Sequence, residues 1–229
     1  TIDLALLRGL SGDHAAQATA KQTLLGLMEP PRSGPELCGP SERARATLLL
    51  AELTLASDPM ARAEARALLH KAQALVPTGD LLLLEEVARA QVGIGDNATA
   101  ATLQKQVLAR LPDRRRSRLL LAQALLATGL GTEADSILAP LTSGPTMRDA
   151  EATVLKGQAL LLQSDTLAAQ KLTRLLLANP GLPAAVRYDT QLLSAQVFLT
   201  LQEPLSARRV LEPLLKLAAR IRRAADRME

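Results

Sequence analysis

The sequence predicts an all-α protein, built as a right-handed α-solenoid of about six helix-turn-helix repeats. Composition is the first observation behind this prediction. Hydrophobic residues make up 48% of the 229 residues, but aromatic residues make up only 1%. Leu and Ala are strong helix formers, and the bulky rings that β-sandwiches and barrels usually bury are almost missing. A large core of aliphatic side chains in helices is therefore expected.

An internal repeat is the second observation. Residues 119–145 read as a helix, a Gly turn, a second helix and a stop, and the same pattern recurs from Gly157 and again from Ala195. Four prolines that stop the second helices lie 35, 33 and 35 residues apart, at Pro77, Pro112, Pro145 and Pro180. This period is typical of stacked helical hairpins, because a single hairpin cannot bury its apolar face alone.

A small residue early in each second helix is the third observation. It lets the two helices of a hairpin cross at short distance, and a larger apolar side chain three residues later fills the space beside it. The small residues are Ala65, Ala100, Ala134, Ala169 and Ala207. The larger residues are Leu68, Leu103, Ile137, Leu172 and Val210.

The chain opens with its weakest repeat. Residues 1–28 form an N-terminal hairpin or cap, with a short apolar helix from Ile2 to Leu10, a turn, and a second helix from His14 to Met28. Residues 29–41 hold four Pro and two Gly and cannot be a helix interior. They are predicted to be a loop or a flexible hinge.

Residues 42–220 form the regular array, and residues 221–229 are predicted to be a frayed basic end. Pro59 suits the first turn of a helix, and prolines or glycines stop most of the others. The predicted helices run over residues 41–56, 59–75, 79–93, 97–110, 114–128, 132–141, 147–162, 165–178, 184–200 and 204–220.

On these residues the chain resembles the tetratricopeptide repeat superfamily, over about residues 41–216. That family favours a small residue in the first helix as well as the second, and here the first falls at Ala51, Ala88, Ala122, Gly157 and Ala195. The family's Trp and Tyr are missing, so the repeats are degenerate. Other helical-hairpin solenoids, such as a pentatricopeptide-like array, stay open as alternatives.

The resemblance implies that the first helices line a concave groove that binds a peptide or a partner helix. The groove position just after the first small residue holds Glu52, Arg89, Gln123, Gln158 and Gln196, and an apolar strip beside it includes Leu126, Leu161 and Leu199. Amides can bond either edge of an extended backbone. Two interpretations stay open: a peptide site, or core leucines beside solvated glutamines.

Charge suggests a second surface. The formal net charge is +4, and the densest basic run, residues 113–118, holds Arg114, Arg115, Arg116 and Arg118. The run is either a patch for an anionic partner or a solvated turn. Nucleic-acid binding is not expected, because aromatic side chains for base stacking are nearly absent. Membrane insertion is not expected either, since no apolar run reaches about 18 residues.

The sequence shows no motif for catalysis, metal or cofactor binding. The two histidines, His14 and His70, lie in different repeats without metal-ligand spacing. Cys38 is a lone thiol in a Pro-rich loop, and Glu85 with Glu86 is expected to be ordinary helix surface. The protein is therefore predicted not to be an enzyme and to need no cofactor.

These features predict a non-enzymatic scaffold for protein–protein interaction. One alternative is a module of a larger bacterial export or envelope machine, such as one for polysaccharide secretion, acting as a periplasmic spacer and protein dock. A less favoured alternative is an RNA-binding array. The chain starts at Thr1 rather than Met, which leaves open a larger polypeptide and a location in the bacterial cytoplasm or periplasm.

Overall fold

The computed structural model describes residues 14–28, 38–143 and 149–225, and within these ranges it holds eleven α-helices and no β-strand. The helices are α1 His14–Met28, α2 Pro40–Ser57, α3 Arg62–Leu75, α4 Leu81–Gly93, α5 Asn97–Arg110, α6 Arg115–Ala127, α7 Gly131–Thr142, α8 Ala150–Leu162, α9 Thr166–Leu177, α10 Ala184–Thr200 and α11 Pro204–Ala225. The predicted helix from Ile2 to Leu10, the predicted loop over 29–37 and the stop at Gly144 and Pro145 lie outside the described residues.

The chain divides into two compact units, Thr1–Leu120 and Leu121–Glu229, with the division inside α6. In unit 1, α1 packs on α2, α2 pairs with α3, α4 pairs with α5, and α4 also packs on both α2 and α3. In unit 2, α7 packs on α8, α8 pairs with α9, α10 packs on both of these, and α10 pairs with α11. The prediction of stacked helical hairpins is therefore confirmed.

Several predicted boundaries were wrong. The helix α2 begins at Pro40, inside the predicted loop, and α8 begins at Ala150 rather than at residue 147. Pro59 lies in a turn rather than in a first helical turn, because the Asp58 carboxylate accepts a hydrogen bond from the Met60 amide at 2.8 Å and α3 begins only at Arg62. At the other end, α11 continues to Ala225. The helix is thus five residues longer than predicted, and residues 226–229 of the predicted frayed end lie outside the described residues.

The small residues of the repeats lie in the buried core. The five alanines of the second helices are buried, from Ala65 at 0% exposure to Ala207 at 3%. In α8, a β-carbon added to Gly157 would lie 2.5 Å from Cδ2 of Leu193 on α10. Of the five larger residues three positions on, only Leu103 is fully buried; the other four are half-buried.

The same type of turn ends the first helix in four of the helix pairs. Its key residue adopts the left-handed conformation, with φ of 83° at Gly95, 80° at Gly129, 64° at Ser164 and 61° at Gln202. The amide of that residue bonds the carbonyl three residues earlier, and the next amide bonds the carbonyl five residues earlier. This is the Schellman pattern of helix ends, and it sets the path into each second helix.

Candidate binding site

The three predicted groove glutamines lie together in unit 2. Gln123 on α6, Gln158 on α8 and Gln196 on α10 line one open concavity of about 460 Å³. The other lining residues are Leu126, Ala127, Leu161 and Leu162. The structure therefore brings together three first helices with an amide and apolar lining, while the binding role of these residues stays a prediction.

The amide groups of these glutamines are available. Gln123 and Gln158 are half-buried and Gln196 is exposed, and within the described residues none of the three side chains forms a hydrogen bond with another group. Other glutamines are engaged: the Gln163 amide donates to the Gly131 carbonyl at 3.3 Å, and that of Gln104 donates to the Glu85 carbonyl at 3.4 Å. The concavity thus offers donors and acceptors that a ligand could use.

The leucines of the predicted strip divide into two groups. Leu126 and Leu161 are half-buried and line the concavity, and Leu161 also packs against the core of unit 2. Leu199 does not line it and is 57% exposed. Leu161 therefore contacts both the core and the concavity, and its binding role stays a prediction.

In unit 1 the equivalent positions bond each other. A guanidinium nitrogen of Arg89 on α4 lies 2.9 Å from Oε1 of Glu52 on α2. Both side chains are partly exposed, so this ion pair is a weak stabiliser. It nevertheless neutralises both charges and occupies the polar atoms that a ligand would otherwise meet.

Some arginines of the predicted anionic-partner patch are paired with a buried carboxylate of the protein itself. Glu85 was expected on the helix surface, and this was wrong: it is 1% exposed. Nε of Arg114 lies 2.9 Å from its Oε2, Nε of Arg116 lies 3.2 Å from its Oε1, and the Ser117 hydroxyl donates to Oε2 at 2.7 Å. Two of the four patch arginines therefore balance a buried charge, while Arg115 is exposed and Arg118 half-buried.

The environment of Glu85 keeps it ionised. Burial by itself would raise the pKa of this carboxyl group. Hydrogen bonds from Arg114 and Ser117 and the positive charges of Arg114 and Arg116 outweigh burial, so the pKa of Glu85 lies below its usual value. The cluster joins α4 to the start of α6 through a charge-assisted network.

A signal for this cluster was present in the repeat. Glu85 stands three residues before the first small residue of its pair, and the other four pairs carry an aliphatic residue at this position: Leu48, Leu119, Val154 and Leu192. A carboxylate in an otherwise apolar register must find a cation when it is buried. The two arginines that follow 29 and 31 residues later supply that charge.

Neither a metal site nor a membrane-spanning helix is found in the described ranges. There, no group of three or more His, Cys, Asp or Glu side chains is placed to hold a metal ion. Among the described helices, none combines the length and the apolar character needed to cross a membrane.

Comparison with known proteins identifies the fold. No protein-family model matches the chain, and no curated protein matches its sequence. The structure is similar to that of a tetratricopeptide repeat protein from Parabacteroides merdae ATCC 43184, with a TM-score of 0.70 and 11% identity over 94% of this chain and 79% of that chain. The chain therefore has the all-α solenoid fold of a tetratricopeptide repeat protein, as its repeats predicted.

Proposed function

We propose that this protein is a non-enzymatic interaction scaffold, and that the unit 2 concavity binds an extended peptide segment of a partner protein. The observation that supports this most directly is the set of three amides, Gln123, Gln158 and Gln196, around one cavity with no hydrogen bonds to other described groups. An extended peptide presents donors and acceptors along both edges of its backbone. Amides on successive helices can bond them, whatever the peptide sequence.

Selectivity would come from the apolar part of the lining. Leu126, Leu161 and Leu162 border the cavity, and Leu162 is 50% exposed. A peptide side chain that covered them would gain roughly 25 cal/mol for each Å² of apolar surface removed from water. We therefore expect a peptide with an aliphatic side chain at the bound position and no charge next to it.

The test is affinity capture with a variant whose concavity lining carries added positive charge. The variant Gln123→Arg, Gln158→Arg, Gln196→Arg places three cations in the concavity. A matched variant, Gln22→Arg, Gln106→Arg, Gln170→Arg, adds the same charge on other surfaces. Native protein and both variants are used to capture partners from cytoplasmic and envelope fractions, and circular dichroism checks that each is folded.

We expect the native protein and the matched variant to recover the same partner, and the lining variant to recover about tenfold less or none. A partner recovered equally by all three would contradict the proposal. A partner found in the envelope fraction would support the export-machine alternative, and one found in the cytoplasm would contradict it.

RNA binding is the less favoured function, because Arg114 and Arg116 are paired with Glu85 and the chain has one Tyr, one Phe and no Trp. We expect no retention of single-stranded RNA at 150 mM salt. Tight binding that falls steeply with salt would overturn this expectation.

A further inference from the structure

The face that α10 and α11 present on the side away from α8 and α9 carries apolar side chains that no described helix covers. We propose that it binds an acidic amphipathic helix of a partner protein, in the position that α4 takes on α2 and α3 and that α10 takes on α8 and α9. The face residues Leu192, Leu211 and Leu215 do not line the concavity, so the inference goes beyond the proposed function and does not depend on it.

The first argument compares one position through the five pairs, three residues before the first small residue. Four of the five side chains there are buried: Leu48 is 4% exposed, Glu85 1%, Leu119 5% and Val154 4%. Leu192 on α10 is 38% exposed. The same register thus holds a core residue in four pairs and a surface leucine in the fifth.

The second helices show the same difference. Four residues after the small alanine, the first four pairs have fully buried side chains, at Leu69, Gln104, Leu138 and Thr173, none above 1% exposure. The fifth has Leu211, which is only half-buried. Eight residues after the alanine, Leu177 on α9 is half-buried, whereas Leu215 on α11 is 63% exposed.

The structure shows what covers this face elsewhere. In unit 2, Val154 of α8 and Leu176 of α9 form one core cluster with Leu193 of α10, which packs across both helices. In unit 1, α4 packs on both α2 and α3 in the same way. The cover is therefore a helix laid against two helices at once, and the α10–α11 face has the matching apolar register.

The basic residues of α11 favour an acidic partner helix on this face. Between residues 204 and 225 the sequence has six Lys or Arg and one acidic residue, Glu212. Glu212 is paired with Lys216 at 2.8 Å on the exposed surface. The basic helix would repel the same helix of a second copy, whereas acidic residues flanking an apolar stripe would complement it. The exposed Tyr188, one turn before Leu192, extends the apolar strip along α10.

The probe for the test is a peptide with the sequence of α10, because α10 already occupies the equivalent place on α8 and α9. A stapled, fluorescent 184–200 peptide carries Arg187→Glu and Gln196→Glu, giving an acidic helix. A second peptide carries Asp189→Lys and Gln196→Lys, giving a basic helix with the same apolar residues. Binding to the full chain is measured by fluorescence anisotropy.

Two double variants of the full chain are compared. Leu192→Glu with Leu215→Glu alters the proposed face. Leu167→Glu with Leu175→Glu adds the same charge on α9, where these leucines are 64% and 60% exposed. If the first double variant does not fold, Leu215→Glu alone replaces it, since that side chain is mostly in solvent.

We expect the acidic peptide to bind the native chain and the α9 variant equally, and to bind the altered face about tenfold more weakly. The basic peptide should bind the native chain about tenfold more weakly than the acidic one. Equal binding of both peptides, or no effect of the altered face, would overturn the proposal. So would a dimer in sedimentation velocity, or co-sedimentation with phosphatidylserine vesicles, that the face variant abolishes.

Discussion

Unit 1 buries polar groups that bond across helices, whereas the buried polar groups of unit 2 are hydroxyls. In unit 1, the buried Gln91 amide donates to Gln73 at 3.3 Å, and that of Gln104 donates to the Glu85 carbonyl. In unit 2, the hydroxyls of Thr153, Thr173 and Thr190 donate to carbonyls of their own helices or caps. Cross-helix bonds between buried groups therefore help to fix the hairpins of unit 1. In unit 2 the described cross-helix bonds, such as Gln163 to Gly131 and Lys156 to Asp135, come from side chains that are not fully buried.

The same contrast holds at the groove positions. Glu52 and Arg89 bond each other in unit 1, while the three glutamines of unit 2 have amides available for a ligand. Equivalent repeat positions thus have different roles, because the neighbour of each side chain decides whether its polar atoms are already used.

Removing both cations from Glu85 should have the largest effect. In the variant Arg114→Met, Arg116→Met, a carboxylate that is 2% exposed keeps only the Ser117 hydroxyl. The two arginines are 38% and 52% exposed, so we expect a loss of about 2–3 kcal/mol, below that of a fully buried pair, measured as the free energy of unfolding in urea. Arg110→Met, on an exposed side chain of α5, should change it by less than about 0.5 kcal/mol. An unchanged urea midpoint in the double variant would mean that the cluster is not stabilising.

The stability of unit 1 should also depend on pH through Glu85. Because its folded-state pKa lies below the usual value, the folded state binds this proton less readily than the unfolded chain does. The carboxylate therefore stabilises fully above the unfolded pKa of about 4.3, and this contribution is lost as pH falls through the lower, folded pKa. The difference in urea midpoint between native protein and Glu85→Gln should shrink below about pH 4. A constant difference down to pH 2.5 would refute the assignment.

Close backbone contact should make one glycine of unit 2 sensitive. A β-carbon at Gly131 would lie 2.9 Å from the Ala159 carbonyl oxygen and 2.8 Å from Cβ of Leu162, and neither can move without shifting α8. We expect Gly131→Ala to destabilise unit 2 by about 1–3 kcal/mol. At Gly93 in unit 1 no atom lies within 4 Å of the added carbon, so Gly93→Ala should stabilise by about 0.5–1 kcal/mol. Thermal unfolding of both variants tests whether their changes in stability have opposite signs.

The smallest effect concerns the repeated turn. Ser164 in unit 2 adopts the left-handed backbone conformation, with φ of 64°. This conformation is strained for a residue with a side chain but not for glycine. Ser164→Gly should stabilise by about 0.5–1 kcal/mol, and Gly95→Ala in unit 1 should destabilise by about 1 kcal/mol. Melting temperatures that move in the same direction for both variants would contradict the shared geometry.

The repeat pattern explains which features of the fold and of the site could be predicted from the sequence. Positions such as Ala100 and Gly157 are set by the distance between helix axes, so the sequence alone indicated the hairpins and which first-helix residues share a surface. The prediction that Glu85 lies on the helix surface was wrong. A pair of adjacent glutamates suggests a surface, and the arginines that pair with Glu85 lie about one repeat later in the chain. Leu199 is 57% exposed and does not line the concavity, and its binding role stays a prediction.

The Schellman turn has a consequence for how such a sequence can change over time. Four pairs are closed by the same pattern of backbone hydrogen bonds, at Gly95, Gly129, Ser164 and Gln202, and two of these residues are not glycine. Because main-chain atoms make the bonds, many substitutions can accumulate around the turn while its geometry persists. This is consistent with a chain that shares 11% identity with a tetratricopeptide repeat protein. The geometry of these turns can therefore persist where the residues around them differ.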